Sequence, residues 1–182
     1  AVVLPNGVDT VARPFDPNPE KFRKQNILFC GTLDYSPNEE GVLWFYEKIF
    51  PLVKAQIPKI SFTVIGKMHR DGAFEELQKD VSVNFIGPVD HVTSYYRQSS
   101  LLVVPLLNGS GTRLKILESM SMGNPVVSTS IGAEGLKVVH KKDLLIADTE
   151  TEFAEAIILL LLMTEEKLKK RSMPVTRANT RL

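Results

Sequence analysis

The chain has 182 residues, with 22 lysines and arginines against 21 aspartates and glutamates. That length suits one domain with a sizeable core, and the near-balance of charge excludes a strong field for nucleic acid. The single cysteine, Cys30, excludes an internal disulfide and fits a reducing, cytoplasmic compartment.

Residues 1–20 read as a linker, because Pro5, Pro14, Pro17 and Pro19 block regular helix and Asn6-Gly7 signals a turn. Strands and helices alternate after it. Asn26 to Gly31 is nearly all apolar, as expected of a strand buried on both faces. Ser36-Pro37 predicts a helix start, serine as cap and proline at the first helical position. Pro51 should break that helix, with a further turn or two to Gln56. Ile60 to Gly66 predicts a second strand, Gly72 to Lys79 a short polar helix, and Val83 to Gly87 a third strand. His91 to Ser100 predicts a helix and Leu101 to Pro105 a fourth strand. A helix over Arg113–Met122 precedes strands at Val126–Ser128 and Leu144–Ala147. Helices are predicted at Thr151–Met163 and Glu165–Ser172, with a polar tail from 173 to 182. The domain proper spans 21–172. The longest apolar run, Ala156 to Met163, is too short for a membrane span, which needs ~20 apolar residues.

This alternation implies an α/β fold with a doubly wound, Rossmann-like parallel sheet. Right-handed crossovers place every strand-to-helix loop along one sheet edge, where ligands bind near the topological switch point. Gly31, Gly66, Gly87 and Gly111 fall on that edge and outline one crevice.

The most informative loop is Asn108-Gly-Ser-Gly-Thr-Arg-Leu-Lys-Ile-Leu-Glu118. It joins a buried strand to a helix. The amides of Gly111, Thr112 and Arg113 should point outward at the helix N-terminus and receive an anion. Arg113 and Lys115 add positive charge, and Glu118 can accept hydrogen bonds from hydroxyl groups. A phosphate joined to a polyol is the implied ligand. The plainer reading of the same run is a solvated loop capping a helix, with Glu118 paired to Lys115. The run is not a P-loop, having no Gly-Lys-Ser/Thr. Leu114 stands where a dinucleotide fingerprint requires glycine or alanine. His69, His91 and His140 lack metal-ligand spacing, so no metal site is expected.

The order of motifs resembles the C-terminal, donor-binding domain of a GT-B glycosyltransferase of family 4, or group 1. The resemblance is carried by Leu4-Pro-Asn-Gly-Val-Asp9, Phe29-Cys-Gly-Thr-Leu33, Phe62-Thr-Val-Ile-Gly66, Val83-Asn-Phe-Ile-Gly87, Gly123-Asn-Pro-Val-Val127 and Gly132-Ala-Glu-Gly135. It implies half of a GT-B architecture, with 1–20 the interdomain segment. The implied reaction moves a sugar from a nucleoside diphosphate to an acceptor hydroxyl, with retention, in polysaccharide biosynthesis. The acceptor domain that would partner this one is absent, so the piece alone should transfer nothing. A GT-B epimerase or phosphorylase, or a noncatalytic sugar-nucleotide binding module, are the alternatives.

The family places a glutamate pair around the glycine loop. Glu118 matches the second, which holds the ribose; the first falls on Ser110. The family's arginine and lysine after the first strand fall on Thr32 and Asn38. Arg113 and Lys115 are therefore expected to supply the missing cations, Arg113 by direct contact. With Glu118 they are the candidate catalytic residues. Gly31, Thr32, Gly66, Lys67, Gly87, Val89, Asp90, Ser110, Gly111, Thr112 and Leu114 are the candidate substrate contacts, the base lying near Gly87 to Asp90. No cofactor beyond the sugar nucleotide is implied. Peripheral membrane attachment of the parent protein is left open.

Overall fold

A computed structural model describes residues 7–18, 20–68 and 72–162. The predicted helix over Glu165–Ser172, the tail, His69 and the first part of the Leu4–Asp9 motif lie outside them. Six parallel strands form one sheet: β1 (Asn26–Cys30), β2 (Ser61–Ile65), β3 (Val83–Ile86), β4 (Leu101–Val104), β5 (Val126–Ser128) and β6 (Leu145–Ile146). Their order is β3-β2-β1-β4-β5-β6. The apolar runs pair in register, Phe29 beside Val64 and Leu28 beside Leu102. Sequence periodicity thus located every strand to within a residue or two.

On one face pack α2 (Ser36–Trp44), α3 (Phe50–Gln56), α4 (Glu75–Lys79) and α7 (Glu150–Leu162). Their core is aromatic, with Phe45 4.7 Å from Phe62 and 6.1 Å from Phe153, ring centre to ring centre. On the other face lie α5 (Thr93–Gln98) and α6 (Leu114–Ser121), over Leu28, Cys30, Ile65, Leu102 and Val104. A short α1 (Glu20–Arg23) precedes β1. No helix among the described residues is long and apolar enough to cross a membrane.

Two local expectations are corrected. Tyr35, not Ser36, caps α2, and Ser36 instead donates its hydroxyl to Glu40 at 2.6 Å. Pro51 does not end the helical path. A π-helical turn over Phe45–Ile49 joins α2 to α3, and Pro51 falls in the first turn of α3. Proline has no amide to donate and crowds the preceding turn; widening that turn accommodates both.

Residues 9–18 lie against the C-terminal end of α6. Asp9 Oδ1 accepts the amides of Val11 and Ala12. The Asp16 amide bonds to the Met122 carbonyl at 3.3 Å, and the Phe15 ring covers Gly123 so closely that a methyl group there would come within 2.4 Å. The buried Lys21 ammonium donates to the carbonyls of Asp16 and Met122, at 3.0 and 2.9 Å. Burial lowers its pKa to about 8, the nearby Asp16 charge opposing the shift.

Candidate functional site

The sheet order reverses direction between β1 and β4. Connections leave these neighbours on opposite faces, so their loops diverge and a crevice opens at the carboxyl edge. Gly31 follows β1, Gly66 β2, Gly87 β3, and the Asn108–Arg113 loop follows β4. All four glycine positions therefore share one edge.

In the β4 loop Gly109 and Gly111 have φ of 101° and 93°, conformations that strain any side chain. Among the described residues, no acceptor takes the amides of Gly111, Thr112 or Arg113. Arg113, the N-cap of α6, is only 9% exposed. Its Nη1 donates to the carbonyls of Ser110 and Gly111, the latter at 2.8 Å. Its Nε and Nη2 are buried without a partner. Buried donors of a guanidinium call for an acceptor, and an anion on the free loop amides would supply one.

Lys115 enters the crevice itself. Its Nζ lies 4.6 Å from the centre of the Phe29 ring and 3.4 Å from Asn38 Oδ1. A methyl group on Gly31 would come within 2.6 Å of this nitrogen, so glycine at 31 leaves the ammonium its place. None of the ion pairs among the described residues involves Lys115. Burial draws its pKa below the usual lysine range; the Arg113 charge adds to that, and Glu118 opposes it. Arg113 folds back onto its own loop, whereas Lys115 reaches across to position 38. Asn38 is held for this contact, its Nδ2 donating to the Thr32 carbonyl at 2.8 Å.

Glu118 is about one turn further along α6, its side chain only 20% exposed. It does not pair with Lys115. Its Oε1 accepts from Arg13 Nη2 at 2.9 Å, and its Oε2 lies 3.5 Å from the Tyr96 hydroxyl. That hydroxyl is also 3.0 Å from Cys30 Sγ. Burial raises the pKa of both the Tyr96 phenol and the Cys30 thiol, so the cysteine is a packed strand residue and not a thiolate.

Gly66 meets Gly31 backbone to backbone; a methyl group on it would lie 1.9 Å from the Gly31 carbonyl oxygen. Thr32 and Lys67 are exposed, as are Gly87, Asp90, Ser110 and Gly111, while Thr112 is half-buried and Leu114 exposed. Val89 packs against the core beneath α5 and α6. Gly87 to Asp90 stand at the end of β3, separated from β1 by β2. Sequence reasoning missed Arg13, Tyr96 and the supporting role of Asn38. His140 Nδ1 accepts the Ile146 amide at 2.9 Å. Among the described residues no three His, Cys, Asp or Glu side chains group to hold a metal. Open clefts of about 730 Å³ beside β3 and about 550 Å³ beside β6 contain none of the loop residues.

Residues 24–162 match the family model of group 1 glycosyl transferases. An uncharacterized 44.6 kDa protein of the cps region of Klebsiella pneumoniae is 35% identical over 156 residues, covering 81% of this chain and 40% of that protein. A phosphatidyl-myo-inositol mannosyltransferase of Mycolicibacterium smegmatis is 27% identical over 139 residues, covering 73% of this chain and 35% of the enzyme. The chain thus spans well under half the length of these relatives. The crystal structure of the C-terminal domain of a group 1 family glycosyl transferase from Francisella tularensis superposes with a TM-score of 0.69. It is 19% identical and covers 95% of this chain and 94% of that domain.

Proposed function

The chain belongs to the group 1 glycosyltransferases, and on that premise we propose that it is the donor-binding half of a retaining enzyme that takes a sugar from a nucleoside diphosphate. The carrying observation is the Lys115 ammonium, buried against Phe29 and Asn38 at the switch point with no ion pair among the described residues, on the helix whose first amides, Gly111 to Arg113, are open. A buried ammonium with no carboxylate in direct contact is costly, and a diphosphate would provide the counter-charge.

In this reading Lys115 and the loop amides hold the diphosphate. They stabilise the negative charge that grows on it as the glycosidic bond breaks. Arg113 acts from behind: it fixes the loop carbonyls, which turns the amides outward, and offers Nε and Nη2 to the anion. Glu118 takes the ribose diol, its carboxylate accepting from two hydroxyl donors. The base lies toward Gly87–Asp90, with Val89 beneath it. Thr32, Gly66 and Lys67 border the sugar side. Residues 21–172 form the donor domain, and a second, acceptor-binding domain of the parent protein completes the active site. The transferred group is a hexose, and the chain alone transfers nothing. No cofactor is required, because protein cations serve the leaving group.

Calorimetric titration with UDP, GDP, ADP and inorganic pyrophosphate tests this. One nucleoside diphosphate should bind, and Lys115→Ala should weaken both it and pyrophosphate by about tenfold or more, as expected for a charged hydrogen-bonding group. Absence of nucleoside diphosphate binding, or binding indifferent to Lys115, would overturn the reading.

A further inference from the structure

Arg13 is the one charged side chain that residues 9–18 bring to the site. Its Nη2 holds Glu118 Oε1 at 2.9 Å, and its Nε is buried without a partner. The contact is built, not incidental. The Asp9 turn fixes the backbone on the N-terminal side of Arg13, whose own amide bonds to the Asp9 carbonyl at 3.0 Å. On the other side, Phe15 on Gly123 and the Asp16–Met122 bond clamp the segment to the end of α6. Lys21 closes the clamp by bonding both Asp16 and Met122.

From this we infer that Arg13 is a positioning residue for sugar recognition: acting through Glu118, it sets the preference for a ribonucleotide over its deoxy counterpart. The inference rests on the ribose role of Glu118 given above. A carboxylate has about four lone-pair positions. Arg13 occupies one on Oε1, and Tyr96 approaches one on Oε2. Two remain, enough for the two hydroxyls of a ribose diol, so Arg13 orients the acceptor without filling the subsite. A free glutamate on a helix samples several rotamers, and a diol that needs both oxygens at once loses affinity to that freedom. A deoxyribose lacks one of the two hydroxyls and gains less from the orientation. Arg13 lies in the segment that enters the domain from upstream, so sugar recognition is tied to the seating of that segment.

The test measures binding of ribonucleoside diphosphates, their 2′-deoxy forms and inorganic pyrophosphate to the chain and to Arg13→Gln, Arg13→Lys and Glu118→Gln. The unmodified chain should prefer the ribonucleotide by about tenfold, the scale of one hydrogen bond to a charged group. Arg13→Gln should bring that ratio close to one with pyrophosphate binding unchanged, and Arg13→Lys should restore most of it. Arg13→Gln and Glu118→Gln should be non-additive. Equal loss for ribo and deoxy forms in Arg13→Gln would make the residue a mere support of the fold and overturn the inference. Tighter binding in Arg13→Gln would make it a plug and overturn it as well. A preference that survives Glu118→Gln refutes the ribose role itself; a preference lost in Glu118→Gln but kept in Arg13→Gln refutes only the role of Arg13.

Discussion

Gly31 and Lys115 form a pair in which the smallest side chain makes room for one of the longest. A methyl group at 31 would meet only the mobile end of Lys115 and the Asn38 amide. Gly31→Ala is therefore expected to cost under about 1 kcal/mol in stability, within the range of tolerated substitutions, yet to push the ammonium out of the crevice. Diphosphate affinity by calorimetry should fall while the urea midpoint barely moves. Lys21 makes a different prediction. Its folded pKa of about 8 lies below its ordinary 10.5, because burial penalises the charged form. Between these two values the unfolded chain binds more protons, so stability should rise with pH across that window. The shift is worth at most ~3 kcal/mol. Burial lowers the Lys115 pKa in the same sense, so urea unfolding at several pH values should show a steeper rise in the unmodified chain than in Lys21→Met. The raised Cys30 thiol works the opposite way at alkaline pH and is common to both proteins, so the comparison removes it.

At the scale of elements, two backbone crossings set how the helices and loops meet the sheet. Helix α2 passes over the end of β4 at Gly41, where a methyl group would lie 2.5 Å from the Pro105 carbonyl oxygen. The loops of β1 and β2 meet at Gly31 and Gly66. Neither contact can relax by rotating a side chain, since backbone opposes backbone. Gly41→Ala and Gly66→Ala should each lower stability by about 1–3 kcal/mol, the cost of overpacking a tight interior. Gly66→Ala should also weaken nucleotide binding, because the displaced Gly31 loop carries the floor of the crevice. Urea unfolding and calorimetry separate the two effects. The polar spacing of α6 was readable in advance, but not the side on which each cation falls. Lys115 and Arg113 are about 200° apart around the axis, so their side chains leave α6 in different directions. The choice belonged to the loop: Gly109 and Gly111 leave the Ser110 and Gly111 carbonyls near Arg113, which they hold.

At the scale of the whole molecule, residues 9–18 behave as part of the domain they precede. They cover the end of α6 through Phe15, Asp16 and the Lys21 bonds, and they deliver Arg13 to Glu118. Deleting residues 7–18 should lower the thermal midpoint measurably and loosen the preference for ribonucleotides. Unchanged stability on removal of residues 7–18 would mark the segment as a passive linker. Nucleoside diphosphate should act in the other direction. Ligand at a hundredfold its dissociation constant adds about 2.7 kcal/mol to a protein that binds it only when folded. A thermal shift seen with the nucleotide and reduced in Lys115→Ala would tie that stabilisation to the crevice.

The sequence by itself determined the sheet, its edge and the loop that matters. Buried parallel strands announce themselves as short apolar runs, and glycines punctuate their ends, because both signals are local to a few residues. Gly109 and Gly111 were legible for the same reason: a left-handed turn demands its residue type wherever it falls. What tertiary structure alone decided was the pairing of charges. Arg13 and Glu118 are separated by most of the domain, and Lys115 meets Asn38 across three strands' worth of chain. Such contacts depend on the sheet order β3-β2-β1-β4, which brings the loops of β1 and β4 side by side, and on a segment clamped to α6 from outside. Side-chain direction in a crevice is set by which neighbours exclude water and which carbonyls lie within reach, and no spacing in the chain encodes that.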